Sequence, residues 1–311
     1  LYLRIYFAGI IFVFIYNVGS SILRAMGDSR RPLYYLIVCS VVNIILDLLL
    51  ILVIPLGVLG AAIATLIAQA VSAVLVTVTL MYRTEGMKLC LSQIRMYKRM
   101  LQSILKIGLP AGFEAIMYSI SNIIVQVSIN NFGVDTMAAW TAYSKIDFIF
   151  WMINSAFGIS VMTFVGQNYG AGKWDRIRRG TKICLGMALI SAVSVSIILM
   201  SAERFLFGIF VNDAGVVEIG IRMMNVIAPA YLLFAFIEVF SGALRAQGAV
   251  VVSTLITMVG ICVLRMIWVT LVAAHGTLEQ VIICYPITWA AGALAMSIYY
   301  IYKQRKIFQA R

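Results

Sequence analysis

Nine runs of mostly apolar residues, divided by short breaks of Gly, Pro or charge, fill most of this 311-residue chain. They cover residues 5–27, 33–54, 57–82, 106–132, 136–166, 180–201, 219–247, 250–272 and 279–302. A membrane-crossing helix needs about 20 such residues, and each run is long enough. Hydrophobic residues make up 63% of the chain and charged residues 12%, against about 45–50% and 25% in ordinary globular proteins. No soluble core buries that much apolar side chain. The expected fold class is therefore all-α, a polytopic membrane protein with about nine transmembrane helices.

The net charge of +12 comes from 24 Lys and Arg against 12 Asp and Glu. Position decides between a nucleic-acid surface and a topology signal. Alternate loops hold Arg24, Arg30 and Arg31; Arg83, Lys88, Arg95, Lys98, Arg99 and Lys106; Lys173, Arg176, Arg178, Arg179 and Lys182; Arg245; and Lys303, Arg305, Lys306 and Arg311, which is 19 basic residues. The other side holds only Arg4, Arg204 and Arg222. Cytoplasmic loops retain Lys and Arg, so the basic side is expected to be the cytoplasm, with the C-terminus on it. Nucleic acid is not an expected partner. Five cysteines, Cys39, Cys90, Cys184, Cys262 and Cys284, lie far apart without CxxC spacing, which signals neither a metal site nor a disulfide framework.

The longest polar stretch carries Arg95, Lys98 and Arg99 beside Leu91, Ile94, Met100 and Leu101. That spacing predicts an amphipathic helix on the cytoplasmic membrane surface. The expected organisation is a partial N-lobe of three spans over 1–83, this linker over 84–105 and a six-span C-lobe over 106–311. An internal repeat supports two lobes. Ser20-x-x-Leu23-Arg24-Ala25-x-Gly27 recurs as Ser241-x-x-Leu244-Arg245-Ala246-x-Gly248, each closing a long apolar run. An even number of spans separates the copies, so the repeat is parallel, about an axis along the membrane normal. The second unit has three spans ahead of its copy and the first has almost none. Three helices are expected to be missing before Leu1, making the chain part of a twelve-helix, two-lobe transporter.

The strings Gly166-Gln167-Asn168-Tyr169-Gly170-Ala171-Gly172 with Arg176 following, Leu109-Pro110, Leu23 through Pro32, and Asn43-Ile44-Ile45-Leu46-Asp47 resemble the MATE family of multidrug and toxic compound extrusion transporters. The resemblance covers essentially the whole chain and matches the family's helices 4 to 12. It implies a cation-coupled antiporter with two lobes around a central cavity that opens alternately to either side. It also implies that positions matching Asn43, Asp47 and Thr65 form the N-lobe ion or proton site.

Ionisable groups inside a bilayer are costly and usually line a cavity or pair with one another. Six lie well within the runs: Asp47, Glu114, Lys145, Asp147, Glu238 and Arg265. Asn43 and Asp47 stand four residues apart, on one helix face. Asp47 and Thr65 share a depth, with Gln69 and Asn43 about one turn deeper. The four are expected to hold one small cation or a proton; helix-packing hydrogen bonds are the plainer reading. Glu114, Lys145, Asp147, Glu238 and Arg265 are the expected substrate-cavity charges, with Glu238 and Arg265 close enough in depth for long side chains to meet. Two structural salt bridges are the plainer account of that set. Tyr118, Trp140, Tyr143 and Trp151 are candidate cavity aromatics, and Pro229 and Pro286 are expected to kink their helices.

His275, the sole histidine, falls in a short outer loop, so neither a zinc motif nor a Ser-His-Asp triad is possible. Gly166–Gly172 lacks the ending of a nucleotide-binding loop and reads as a tight turn. The function expected is H⁺- or Na⁺-coupled antiport of organic cations or drugs by a monomer in the cell membrane, in contact with lipid. No cofactor or metal beyond the coupling ion is expected. A lipid-linked saccharide flippase of the same superfamily is the alternative; only Lys145 and Arg265 supply basic charge within spans, which favours cations. An inactive truncated fragment, an intramembrane enzyme and a receptor are further readings.

Overall fold

A computed structural model describes residues 2–82, 88–272 and 276–309. Arg83 and Arg311, used in the topology reading, and His275 lie outside the described residues. Among the described residues every regular element is helical, and nine helical segments are long and apolar enough to cross a membrane. The chain forms two compact units, Leu1–Tyr97 and Lys98–Arg311.

The first unit contains α1 (Tyr2–Ala25), α2 (Arg30–Asp47) and α3 (Val58–Tyr82). A π-helical segment, Leu48–Val53, extends α2. Helix α3 packs against both others. Its buried stripe of Gly60, Ala64, Ala68, Ser72, Val76 and Leu80 recurs every four residues, the spacing of one helix face. Small side chains there let neighbouring backbones approach, as small residues do between membrane helices. A Cβ on Gly60 would stand 2.8 Å from the Leu50 carbonyl oxygen, and one on Gly19 of α1 would stand 2.8 Å from Val76.

The second unit holds α4 (Lys98–Asn130), α5 (Val134–Gly170), α6 (Trp174–Ser201), the short α7 (Glu203–Gly208), α8 (Ala214–Ile227), α9 (Tyr231–Ala246), α10 (Val250–Thr257), α11 (Leu264–Ile267), α12 (Leu278–Ile282) and α13 (Cys284–Gln309). Helix α9 is its core, with α5, α6, α10 and α13 packed around it. Asp213 starts α8 by accepting bonds from the Gly215 and Val216 amides, and Thr277 with Gln280 forms a capping box on α12. Each satisfies backbone donors that a helix start leaves unpaired.

The sequence repeat reappears as one local geometry. Helices α1 and α9 both end in a Schellman motif: Asp28 N–H bonds Leu23 C=O and Ala249 N–H bonds Leu244 C=O, each at 2.9 Å. Gly27 and Gly248 take positive φ of 93° and 79°, the left-handed region open to glycine.

Several boundaries depart from the sequence reading. No single amphipathic helix spans 84–105: residues 83–87 are not described, Leu91–Gln93 form one 3₁₀ turn, and Lys98 begins α4. Lys98–Ile107 contain neither Gly nor Pro, and one Gly108 is tolerated inside a helix, so α4 begins ahead of Pro110 instead of opening on it. Proline in a membrane helix removes one bond, which neighbouring groups make good. Helix α5 likewise continues through Gly170, leaving Ala171–Lys173 as the turn. Pro229 lies in a 3₁₀ segment, Ala228–Ala230, between α8 and α9. Pro286 sits in the first turn of α13, just after Ile283 interrupts the helical run that starts at Leu278, where its ring and missing N–H disturb the carbonyl four residues before it.

Candidate functional site

In the first unit, Leu50 against Gly60 and Tyr35 hydroxyl against Thr79 hydroxyl fix the antiparallel register of α2 on α3. That register puts Asp47 level with Thr65 and Asn43 level with Gln69. Asp47 Oδ1 and Asn43 Nδ2 are buried without a hydrogen-bond partner among the described residues. Thr65 instead donates to the Ala61 carbonyl of its own helix at 2.9 Å. Gln69 lies against Gly9 of α1, where a Cβ would stand 2.6 Å from its Oε1. Depth is shared within each pair, Asp47 with Thr65 and Asn43 with Gln69, and the two unpaired atoms belong to Asn43 and Asp47.

Two cavities of the second unit hold the expected acids. The face of α4 carrying Glu114, Tyr118, Asn122 and Gln126 runs along both, because residues four apart share one side of a helix. The first cavity, about 540 Å³, is lined by Glu114 and Tyr118 of α4, Gly158 of α5, and Phe234, Glu238 and Arg245 of α9, among others. Arg245 Nη2 donates to both Glu114 oxygens, at 2.7 and 2.6 Å. Glu238 makes no ion pair among the described residues; it lies over Gly158, where any Cβ would collide with its carboxylate. The expected meeting of Glu238 with Arg265 does not occur. The missed partner, Arg245, was legible in one respect: Glu238, Ser241, Gly242 and Arg245 fall at i, i+3, i+4 and i+7, one polar and small stripe in an apolar helix.

The second cavity, about 530 Å³, is lined by Tyr118, Asn122, Gln126, Trp140, Tyr143, Asp147, Trp151, Tyr285 and Trp289, among others. Trp140, Tyr143, Asp147 and Trp151 recur along one face of α5. Asp147 accepts from three donors: Tyr231 hydroxyl at 2.5 Å and Tyr143 hydroxyl at 3.3 Å on Oδ1, and Trp151 Nε1 at 2.6 Å on Oδ2. Charge-assisted bonds of this kind fix a carboxylate in place. Trp140 stacks on Tyr143, with centroids 5.4 Å apart, and contacts Tyr285 at 5.9 Å. No Lys or Arg lies within 4.0 Å of Asp147 among the described residues. Lys145, expected beside it, is exposed and borders a separate recess with Gln126 and Phe148. Two residues along a helix turn a side chain to another face. Arg265 is fully buried and donates from Nη1 to Asn122 Oδ1 at 3.0 Å.

The arrangement can therefore hold a flat cation: aromatic faces attract it and a fixed carboxylate neutralises it. Among the described residues no three His, Cys, Asp or Glu side chains group as a metal site.

Comparison with known proteins adds four findings. The model of the family described as MatE matches residues 1–49 and 110–271. The probable multidrug resistance protein YoeA of Bacillus subtilis is 28% identical over 98% of this chain and 68% of its own length. The multidrug export protein MepA of Staphylococcus saprophyticus is 24% identical over 88% of this chain and 63% of its own. A MATE crystal structure in complex with MaL6 superposes with a TM-score of 0.91 at 20% identity, over 99% of this chain and 70% of that one.

Proposed function

The chain belongs to the MatE family, and from that premise we propose that it is a secondary active efflux transporter exchanging an organic cation or drug for H⁺ or Na⁺ by alternating access. It is a multi-pass membrane protein with nine spans among its described residues. The observation that carries the substrate class is Asp147, a carboxylate with no Lys or Arg within 4.0 Å among the described residues, held by three donors in an aromatic-lined cavity of about 530 Å³. Aromatic walls attract flat cations of varied shape, and the names of YoeA and MepA describe multidrug resistance and export. In this reading the protein acts as a monomer with its C-terminus in the cytoplasm.

Asp47 and Asn43 would receive the coupling ion, supported by their unpaired buried atoms on one face of α2, with Thr65 and Gln69 at matching depths on α3. An ion that binds one conformation more tightly shifts the population toward it. Vesicles bearing the intact protein test this. Ethidium efflux driven by a Na⁺ or a pH gradient is expected, and Asp47→Asn is expected to abolish it. Unchanged efflux in Asp47→Asn overturns the ion role, and efflux under neither gradient by folded protein overturns antiport.

A further inference from the structure

The start of α6 and the end of α13 are far apart in sequence and meet in the structure. Tyr300 of α13 is buried, stacked on Phe240 of α9 with ring centroids 4.5 Å apart, and its hydroxyl faces Thr181 of α6. Arg178 stands one turn before Thr181. Lys182 follows Thr181 directly, four residues from Arg178 and so on the same face of α6. From α13, Arg305 comes just over one turn after Tyr300. All three basic residues are exposed, as are Lys173, Arg176, Arg179 and Lys306 around them. Asp175 is the one acid across 171–183 and 298–309.

Retention of Lys and Arg on one side of the membrane accounts for the sign of these residues. It does not account for two remote helix ends bringing them to one surface, where like charges repel. Other basic residues at helix ends have acids of their own: Asp28 meets Arg31 at 3.2 Å and Glu114 meets Arg245 at 2.6 Å. Lys182, Arg305 and Lys306 have no acid within 4.0 Å among the described residues. Two further features say what anion fits. Tyr299 contacts Tyr302 at 6.4 Å and Trp174 contacts Tyr169 at 5.0 Å between centroids, and Tyr and Trp gather at the level of lipid headgroups. Leading away from Arg305, Ile301, Ile298 and Leu294 precede it by 4, 7 and 11 residues, one face of α13. All three are exposed and make an apolar track beneath the charge.

We propose that the junction of α6 and α13 binds an anionic phospholipid, with its phosphates on Arg178, Lys182 and Arg305 and an acyl chain along Ile301, Ile298 and Leu294. Basic surfaces between membrane helices take headgroups of this kind. Charge supplied by two helices suits a headgroup with two phosphates, the class of cardiolipin. The site is independent of the cargo that the protein moves.

Native mass spectrometry of the intact protein in detergent, titrated with cardiolipin or with phosphatidylglycerol, tests the proposal. Cardiolipin is expected to bind about tenfold more tightly. The triple variant Arg178→Gln, Lys182→Gln, Arg305→Gln is expected to remove that preference. Lys98→Gln, Arg99→Gln, Lys106→Gln takes the same charge from exposed positions of α4 and is expected to leave the preference in place. Should the first triple variant fail to fold, Lys182→Glu alone is expected to weaken cardiolipin binding about tenfold. Equal affinities for the two lipids, or a preference that survives the α6 and α13 substitutions, overturns the site. An equal loss in the α4 variant assigns the effect to overall surface charge and overturns it as well. Displacement of cardiolipin by an equal concentration of inorganic pyrophosphate would assign the cluster to a soluble anion, against the lipid.

Discussion

Arg245 of α9 reaches across to Glu114 of α4 and places one nitrogen, Nη2, against both carboxylate oxygens, at 2.7 and 2.6 Å. The pair borders the first cavity beside Glu238, so three charged groups leave one acid over at full ionisation. The residues are separated by 131 positions in sequence, and the contact fastens the helix that lines both cavities to the core helix of its unit.

Removing one partner leaves the other charge largely buried. With Glu114 14% and Arg245 28% exposed, Glu114→Gln is expected to cost about 2–3 kcal/mol, below the full cost for a fully buried pair. Thermal unfolding in detergent measures it. The double variant Glu114→Gln with Arg245→Gln is expected to lose less than the sum of the single variants, since the two share one interaction. Strict additivity would show that the ion pair carries no energy.

The Asp147 network ranks its donors by length. Tyr231→Phe removes the bond of 2.5 Å and Tyr143→Phe the one of 3.3 Å, so the first is expected to weaken ethidium binding more, by about tenfold for one charged hydrogen bond. Fluorescence titration of both variants checks the order. A reversed order would mean that the hydroxyls do not position the carboxylate.

Glycines in the second unit divide by what a Cβ would meet. Gly158→Ala drives a methyl group into the Glu238 carboxylate, and Gly242→Ala places one 2.8 Å from Val161 and 2.9 Å from the Gly158 carbonyl. Overpacking of this kind costs about 1–3 kcal/mol. At Gly166 a Cβ meets only the Ala246 methyl at 4.0 Å, so Gly166→Ala is expected to be neutral or to stabilise by about 0.5 kcal/mol, as a helical glycine replaced without strain does. Thermal unfolding of the three variants separates the classes.

The duplicated Schellman ends give a paired prediction. Gly27→Ala and Gly248→Ala each force a Cβ into the left-handed region, at φ of 93° and 79°, and each is expected to cost about 1 kcal/mol. A large effect at one site alone, measured by unfolding, would mean that the two ends bear unequal loads.

Spans were legible in the sequence because lipid leaves one readable requirement, a sufficiently long apolar run. Helix starts were not: Lys98–Lys106 and Trp174–Arg179 are polar or amphipathic, yet nothing in them stops a helix, so α4 and α6 begin before their apolar runs. Shared depth was readable for Asp47 with Thr65, since rise per residue is fixed. Which side chains meet was not. Arg245 meets Glu114 across the first cavity, which α4 and α9 both line, and Tyr231 meets Asp147 across 84 positions. Lys145 and Asp147, close in sequence, face apart because helical residues two positions apart do not share a side.

Gradient-driven ethidium efflux from vesicles bearing Asp147→Asn, beside the unmodified protein, tests the central claim most directly. Asparagine keeps the shape and removes the charge that this cavity offers a cation. Efflux is expected to fall at least tenfold, with the protein folded and its spans inserted. Efflux at the unmodified rate would contradict the placement of substrate in the aromatic cavity of the Lys98–Arg311 unit.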